Sequence, residues 1–328
     1  MTRRRVWGLL RAALGLALLA LAVWRVDWAQ IGSLLRGVHP AWALAALASV
    51  LLSLGLKVVR WGVILWAFET PPHWLRLSGA FFLGQAANLL VPVRGGDVLR
   101  VAWVSASGEA GLAVSASSLL VEKLLDFFAL TGLILLLGPF VPINTIQQSR
   151  AWLLPLTIGL ALALLTVLWI FPRVWPSIFP RLPRWLRSPA GALDDLIRRS
   201  AWLRNPRKVG LLAGITVVTW GIMAATNLLA LRSLDLPVDV RAAGLVLALV
   251  YAGQIPATIS GNLGAFYFFA QLALMPFGVE LQQRAAFAVL LHALVNLSPL
   301  VLGGVALLVD RSRRGGAQAN DRPGQGAA

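Results

Sequence analysis

The stretch LVPVRGGDVLR, which ends at Arg100, places charged residues and glycines directly after an apolar run. Arg94 and Arg100 lie on either side of a flexible turn, where two guanidinium groups can hold one phosphate through paired hydrogen bonds. Gly95 and Gly96 allow backbone N–H groups to approach an anion closely, and the Asp97 carboxylate can hold one guanidinium in place. The pattern predicts a phosphate site. The alternative is that the two arginines only anchor a helix at the membrane interface.

Five further ionisable residues lie inside two long apolar runs: Lys57, Arg60, Glu122, Lys123 and Asp126. Lys57 and Arg60 share one helical face, and Glu122 and Asp126 share a face of another helix. At 1.5 Å per residue, Lys57 and Glu122 both lie roughly 15 Å from the predicted cytoplasmic ends of their helices. An unpaired charge at that depth costs on the order of 3 kcal/mol, so we expect acid and base to pair. We expect a functional role for the acidic face; the alternatives are a structural ion pair or long side chains that reach the interface.

The composition indicates which class of protein holds these residues. The chain has 328 residues, of which 58% are hydrophobic and 13% are charged, and it contains no cysteine. A soluble domain of this length needs more charge, and apolar runs able to cross about 30 Å of hydrocarbon recur. The lack of cysteine and the dispersed histidines lead us to expect no metal and no cofactor. The net charge of +16 does not predict nucleic-acid binding, because the basic residues cluster at the ends of apolar runs.

We predict an all-α polytopic membrane protein with six to eight transmembrane helices. Six apolar runs are candidate crossings: Gly8–Trp24, Ala41–Phe68, Gly111–Gly138, Trp152–Phe171, Val209–Leu231 and Arg284–Val309. Two more runs, Leu77–Val93 and Ala242–Phe277, are interrupted by glycine or proline and predict broken helices. The distribution of basic residues favours cytoplasmic N- and C-termini. Six crossings then require both broken segments to be re-entrant, whereas eight full crossings give the same orientation.

The two broken segments resemble each other. GQAANLLVPVRG begins at Gly84, and GQIPATISGNLG begins at Gly253. In the re-entrant topology they enter from opposite sides of the membrane, which is what an inverted repeat produces. Lipid cannot satisfy the backbone groups of a broken helix, so we expect a wet cavity rather than a packing kink. The predicted cavity lining consists of polar residues and one glycine: Gln85, Asn88, Gln254, Thr258, Asn262 and Gly264.

Two polar segments complete the chain. The loop at residues 172–208 is rich in arginine, and its residues Leu186, Leu193 and Ile197 share one helical face. It is predicted either as an interfacial helix on anionic headgroups or as a basic loop that only orients the protein. The tail at residues 310–328 is rich in glycine, arginine and glutamine, a composition typical of a disordered cytoplasmic segment.

Three motifs, NLLVPVRGGDVLR, SSLLVEKLLDFFAL and ISGNLGAF, together resemble the family named after the transmembrane region of lysylphosphatidylglycerol synthase, also called flippase-like domain proteins. The positions that match the family pattern are Pro92, Arg94, Gly95, Asp97, Arg100, Glu122, Lys123, Asp126, Gly261, Leu263 and Gly264. In the third motif Asn262 replaces a glycine. Phe266 and Tyr267 stand where the family has arginine and glutamate, so this chain lacks the charges to which a substrate or coupling role would be assigned.

The resemblance implies that residues 1–309 form one flippase-like transmembrane domain of the cell membrane. Such a domain moves a phospholipid or a polyprenyl-linked lipid between leaflets. Arg94 and Arg100 would take the headgroup phosphate, and Glu122 and Asp126 would act as counter-charges or a proton relay. Few residues follow the last predicted span, so we expect no transferase domain and no enzyme activity of the chain alone.

Two other functions stay open. The altered third motif is compatible with a non-catalytic membrane partner of a lipid-modifying enzyme or glycosyltransferase. An intramembrane transferase is less favoured, because such enzymes use clusters of metal-binding carboxylates. The adjacent acids Asp194 and Asp195 lie in the basic loop and have no second cluster beside them.

Overall fold

The computed structural model describes residues 3–90, 95–108, 110–138, 173–183, 205–254 and 263–320, with isolated residues between 155 and 202. Strands are absent from this described part, and the predicted all-helical class is confirmed. Short 3₁₀ turns occur at Phe179–Arg181 and Met275–Phe277. The α-helices are α1 (Arg3–Val23), α2 (Trp28–Arg36), α3 (Pro40–Ala67), α4 (Trp74–Leu90), α5 (Gly95–Ala106), α6 (Leu112–Leu137), α7 (Pro206–Ser233), α8 (Val240–Gly253), α9 (Leu263–Leu274) and α10 (Leu281–Asn320).

Three of these helices are long and apolar enough to cross a membrane: α3, α7 and the Leu281–Asp310 part of α10. The apolar part of α1 and the whole of α2 form a fourth candidate, bent by 73°. Helix α6 has 26 residues, about 39 Å at 1.5 Å per residue, but it carries three charged residues, Glu122, Lys123 and Asp126, in its middle. The chain is a multi-pass membrane protein. The predicted crossing Trp152–Phe171 lies largely outside the described residues.

Helices α3 and α7, which have the same length, begin and end in the same way. Pro40 and Pro206 occupy the first helical turn, where the missing N–H group has no intrahelical partner to lose. The Asn205 side chain caps α7 by accepting two backbone N–H bonds at 3.0 and 3.4 Å. Soon after each helix ends, the chain turns through a left-handed residue, Glu69 with φ 61° or Asp235 with φ 50°.

Helices α3–α6 and α7–α10 form two sets with the same order of long and short elements. Helices α3 and α7 have 28 residues each, and α5 and α9 have 12 each. The second helices, α4 and α8, have 17 and 14 residues. The predicted broken segments correspond to α4–α5 and α8–α9, which are separated by residues 91–94 and by the stretch around 255–262, outside the described residues.

The contacts between the two sets are reciprocal. Helix α3 packs along α7, α4 packs against α10, and α8 packs against α6. Within each set the two short helices contact each other, and the second short helix contacts the last long one. Outside the sets, α1 lies on α9 and α2 lies on α10. The sets therefore meet through equivalent surfaces, with α3 and α7 at the centre of the junction.

Each set has its own apolar core. The first core surrounds Trp61, Leu77 and Phe81, all at most 1% exposed. The second core joins α7–α10, with Phe287 fully buried. Leu294 and Val295 of α10 are partly buried, and both pack against the first core and against the second. A bundle divided in this way leaves the space between the cores available for a cavity.

The structure describes only part of the two polar segments, the predicted tail and the arginine-rich loop. Helix α10 continues to Asn320 and so overlaps residues 310–320 of the predicted disordered tail. Extending a formed helix needs no new nucleus, and the arginine, alanine and glutamine of this segment favour it. Residues 321–328 lie outside the described part. So do Leu186 and Leu193 of the predicted interfacial helix, whereas the neighbouring Trp202 packs edge-on against Phe68 at 5.8 Å.

Candidate functional site

A cavity of about 480 Å³ lies where the two helical sets meet. Its wall includes residues from both sets, and three of them were predicted from the broken segments: Gln85, Asn88 and Gln254. Gln85 and Asn88 lie near the end of α4, and Gln254 caps the end of α8. The first halves of both broken segments therefore contribute polar side chains to one space.

Of the other three residues predicted to line the cavity, only Gly264 belongs to the described part of the chain. Gly264 is not on the cavity wall, and that prediction is wrong. It is buried in α9 against the backbone of α1, beside Gly15 and Leu19, where a Cβ atom would collide with main-chain atoms. The glycine allows two helices to approach closely, a packing role common in membranes. Thr258 and Asn262 lie outside the described residues.

The first of three ion pairs joins α3 to α6. The Arg60 guanidinium donates to the Asp126 carboxylate at 2.7 Å, and the Trp220 indole N–H donates to the same oxygen at 3.2 Å. The Arg60 side chain is fully buried, so it does not reach back to the interface as the alternative required. The expected acid–base pairing of the two helices is confirmed for these residues.

The second ion pair joins α5 to α6. Arg100 donates to Glu122 at 3.0 Å, and the two side chains are only 2% and 7% exposed. The guanidinium also lies over the rings of Trp61 and Phe81, 4.4 and 5.4 Å from their centroids. Glu122 is on the cavity wall, whereas Arg100 lies behind it. In this arrangement Arg100 neutralises Glu122, and a direct phosphate contact requires that pair to open. Its predicted companion Arg94 lies outside the described residues.

The third ion pair joins the start of α5 to α6. Lys123 contacts the Asp97 carboxylate at 3.0 Å. Asn88 donates to the other carboxylate oxygen and accepts the Asp97 backbone N–H, both at 3.2 Å. Asp97 is thus held by Lys123 and Asn88. Of the two guanidinium groups that it could hold, Arg100 pairs with Glu122 and Arg94 lies outside the described residues. The Lys123 side chain is 39% exposed, which makes this the most open of the three pairs.

The two glycines of the predicted phosphate motif begin α5. Gly95 is half-buried, and Gly96 is buried against α4. A Cβ atom on Gly96 would collide with the backbone of Gly84 and Asn88. Gly96 therefore permits the close crossing of α4 and α5 that brings Asn88 to Asp97. This packing role accounts for the glycine without a bound anion.

Lys57 differs from the other basic residues of the interior. Its ammonium group donates to the Tyr251 hydroxyl at 3.1 Å, across the junction between α3 and α8. Among the described residues, no carboxylate oxygen lies within 4.0 Å of the Lys57 nitrogen. Tyr251 in turn contacts Met223 sulfur at 3.8 Å and packs on the Trp220 ring at 5.0 Å. Both Lys57 and Tyr251 are on the cavity wall.

Sequence reasoning missed the aromatic partners of the charged residues. Trp61, which lies under the Arg100 guanidinium, directly follows another arginine, Arg60, and Tyr251 lies three residues before Gln254. An aromatic residue beside an intramembrane charge, or one turn before a helix break, is a usable signal for such partners. The signal is weak in this chain because it contains 14 tryptophans.

The electrostatics of the site follow from these contacts. Asp97, Glu122 and Asp126 line the cavity, and each is neutralised by its own basic partner. Four basic and three acidic side chains thus form the cluster, with Lys57 as the additional cation. Such an interior is suited to a polar or anionic group within an apolar bundle. The described residues contain no cluster of three or more histidine and carboxylate side chains that could hold a metal ion.

Comparison with known proteins gives the chain its family. The glycosyltransferase AglD of Haloferax volcanii is 33% identical over 128 residues, which are 39% of this chain and 20% of that protein. The chain thus matches about a fifth of the length of this relative. No solved structure matches the chain. The family described as "Lysylphosphatidylglycerol synthase TM region" matches residues 8–303. With most of its length matched, the chain belongs to the family of the lysylphosphatidylglycerol synthase transmembrane region.

Proposed function

We propose that the protein is a lipid flippase that moves a phospholipid or a polyprenyl-linked lipid between the leaflets of the cell membrane. The observation that carries this function is the cavity of about 480 Å³, with its wall of paired charges, inside an apolar helical bundle. Polar space within a membrane protein marks a path for a polar or charged group. The family and the partial match to a glycosyltransferase support a role connected with membrane lipids.

The size of the cavity favours a headgroup as the part of the lipid that enters. Sites for small ligands occupy about 300–1,000 Å³, and this cavity falls within that range. Acyl or prenyl chains are apolar and would stay in the hydrocarbon between helices, away from the charged wall of the cavity. A headgroup that crosses in a polar cavity avoids the several kcal/mol that exposure of a charge to lipid costs.

The reciprocal packing of the two sets supports an inverted repeat. In this arrangement α4–α5 enters from the cytoplasm and α8–α9 enters from the opposite side, with both termini cytoplasmic. Rocking of one set against the other about α3 and α7 would open the central cavity to each leaflet in turn.

The charged side chains receive separate roles in this mechanism. Glu122 and Asp126 serve as counter-charges or as a proton relay. The motif around Arg94 and Arg100 takes the headgroup phosphate, with Asp97, Gly95 and Gly96 shaping the turn. Because Arg100 is paired with Glu122, the carboxylate competes with the phosphate for the guanidinium. Arg100 therefore contacts the headgroup only after Glu122 has moved away.

The test is leaflet exchange by the full chain in reconstituted vesicles that contain phosphatidylglycerol with a fluorescent label. Addition of a membrane-impermeant quencher measures the fraction of label that reaches the outer leaflet. The wild type is expected to accelerate exchange over empty vesicles. Asp126→Asn leaves Arg60 buried without its counter-charge, and a loss on the order of tenfold is expected.

The matched control is Asp235→Asn, the same substitution outside the cavity. Asp235 is exposed and has a left-handed backbone, which asparagine also adopts readily. Exchange by this variant should equal that of the wild type. Vesicles with wild-type protein that exchange lipid no faster than empty vesicles, for every lipid offered, would rule out the flippase.

The partial match to a glycosyltransferase favours a second function, that of a non-catalytic membrane partner of such an enzyme. The partner function predicts that co-expression with a membrane glycosyltransferase raises glycosyl transfer. It also predicts that Asp126→Asn raises transfer as well as the wild type does, and that neither protein exchanges lipid in vesicles.

A further inference from the structure

We propose that Lys57 and Tyr251 form the first binding point for the headgroup, before its phosphate reaches the motif around Arg94 and Arg100, and that the ligand class is a lipid with a monoanionic phosphodiester. This assignment rests on the proposed function, because it takes the ligand to be the headgroup of a lipid. It goes further by placing the anion at the junction of the two sets and by fixing its charge.

Among the described residues of the interior, the ion pairs leave one basic side chain, Lys57, without a carboxylate of its own. Asp97 is matched by Lys123, Glu122 by Arg100 and Asp126 by Arg60, in contacts of 3.0, 3.0 and 2.7 Å. The Lys57 ammonium group has a neutral phenol as its hydrogen-bond partner. Asp126 attracts the Lys57 ammonium group but is already in contact with Arg60, so an anion that enters the cavity gains most at Lys57.

The geometry at Lys57 suits a phosphate group. The ammonium and the Tyr251 hydroxyl are 3.1 Å apart, and both side chains are on the cavity wall. Once the phenol no longer accepts from Lys57, the two groups can donate to two oxygens of one phosphate. Charge-assisted hydrogen bonds of this kind are roughly twice as strong as neutral ones. The packing of Tyr251 on Trp220 holds the hydroxyl in position.

The location of the pair also connects binding with movement. Lys57 belongs to α3 of the first set, and Tyr251 belongs to α8 of the second. A phosphate held by both groups therefore bridges the junction along which the sets would rock. In this structure the direct hydrogen bond from Lys57 to Tyr251 joins the two sets at the same junction.

The charge balance of the described cluster selects the class of headgroup. One negative charge balances its four basic and three acidic side chains, as a phosphodiester such as phosphatidylglycerol provides. A lysylated phosphatidylglycerol has a net positive headgroup and would add to the excess charge. The cluster of described residues therefore favours an anionic phosphodiester over an aminoacylated lipid.

The experiment measures binding to the purified full chain in detergent, by thermal stabilisation during titration with lipid. Phosphatidylglycerol should bind at least about tenfold more tightly than lysylated phosphatidylglycerol. Dimethyl phosphate carries the same charge without chains and should bind much more weakly than the lipid. Equal affinity for dimethyl phosphate and phosphatidylglycerol would identify a free phosphodiester as the ligand and overturn the assignment to a lipid.

Variants locate the site. Lys57→Met should abolish the preference for phosphatidylglycerol over the lysylated lipid, whereas Lys57→Arg keeps the charge and should keep the preference. Tyr251→Phe removes one donor and should weaken binding of phosphatidylglycerol severalfold while the preference remains. Lys208→Met is the matched control, because Lys208 lies over the Trp66 ring, away from the cavity.

The outcomes separate this inference from the proposed function. An unchanged preference in Lys57→Met overturns the site. If Lys57→Met does not fold, loss of the preference in the charge-conserving Lys57→Arg variant overturns it instead. Preferential binding without leaflet exchange supports the headgroup site and contradicts the flippase. Leaflet exchange with no dependence of lipid preference on Lys57 supports the flippase and contradicts the site.

Discussion

The two helical sets share a frame but differ in the chemistry of their interior. Residues at the same distance from the start of corresponding helices can be compared directly. Lys57 and Arg60 of α3 correspond to Met223 and Thr226 of α7. The other charged residues and their counterparts are Asp97 and Ala265, Arg100 and Phe268, Glu122 and Leu291, Lys123 and His292, and Asp126 and Val295.

This difference indicates that a frame of this kind can form without ion pairs in its interior. In the described residues of α7–α10, the residues with formal charge lie near helix ends or at and after Asp310, where the apolar part of α10 ends, and the set still has a continuous apolar core. His292, the counterpart of Lys123, packs on the Tyr267 and Phe266 rings at 5.1 Å. Burying ion pairs is at best neutral for stability when apolar residues of similar volume fit. The charges of the first set therefore point to a function.

The largest effect is expected from breaking one buried pair. Arg100→Met leaves Glu122 in the interior without its cation and should lower the free energy of unfolding by about 3–5 kcal/mol. The double variant Arg100→Met/Glu122→Leu gives the first set an apolar interior like that of the second. It should recover the stability of the wild type to within about 1 kcal/mol but should not exchange lipid. Thermal unfolding in detergent and the vesicle assay measure the two properties.

The double variant decides between the two interpretations of the ion pair. A double variant as unstable as the single one would mean that the frame of the first set requires the charges. Full lipid exchange by a stable double variant would remove the pair from the mechanism. Either result would contradict the view that the charges of the first set serve lipid exchange and are not needed for its fold.

A smaller effect is expected from the glycines that allow close helix crossings in both sets. Gly96 and Gly264 are each the second residue of a second short helix, and each lies against a neighbouring backbone. Gly96→Ala and Gly264→Ala should each lower stability by about 1–3 kcal/mol, because the helices must separate to admit the methyl group. Gly55→Ala is the control, since a Cβ atom there meets nothing within 4 Å.

The glycine variants test whether close helix crossings stabilise the two sets equally. Similar losses for Gly96→Ala and Gly264→Ala would show that close helix crossings hold both sets together equally. A loss confined to Gly96→Ala would mean that the contact of α9 with α1 is dispensable. The thermal unfolding midpoints of the three variants in one detergent give the ranking.

The sequence predicts the frame well because hydrophobic length and helix breakers are local signals. Apolar runs locate α3 and α7 to within a few residues, and proline and glycine mark the two broken segments. Paired charges inside apolar runs also indicate a partner on a facing helix, as Arg60 and Asp126 show. These inferences need only the periodicity of a helix and the penalty for a charge in lipid.

The choice of partners is not predictable in the same way, because it depends on how helices from distant parts of the chain cross. Arg100 shares a motif with Asp97, yet it pairs with Glu122. Tyr251 becomes the partner of Lys57 only through the contact between the two sets. Gly264 resembles a cavity residue by its place in a polar motif, but the docking of α1 buries it. Spacing along the chain carries none of this information.

The smallest effect concerns a hydrogen bond that joins the first helices of the sets without any formal charge. The Ser49 and Thr226 hydroxyl oxygens are 2.6 Å apart, and Thr226 is the counterpart of Arg60. Interhelical hydrogen bonds in membranes average about 0.6 kcal/mol, so a cycle of Ser49→Ala and Thr226→Val should give a coupling of that order. The corresponding cycle for Arg60 and Asp126 should give a larger coupling, because removing either residue leaves a buried charge. Equal couplings would mean that the interior is polar enough to screen the ion pair. The charged contact between Arg60 and Asp126 would then stabilise the bundle no more than the contact between the Ser49 and Thr226 hydroxyl groups.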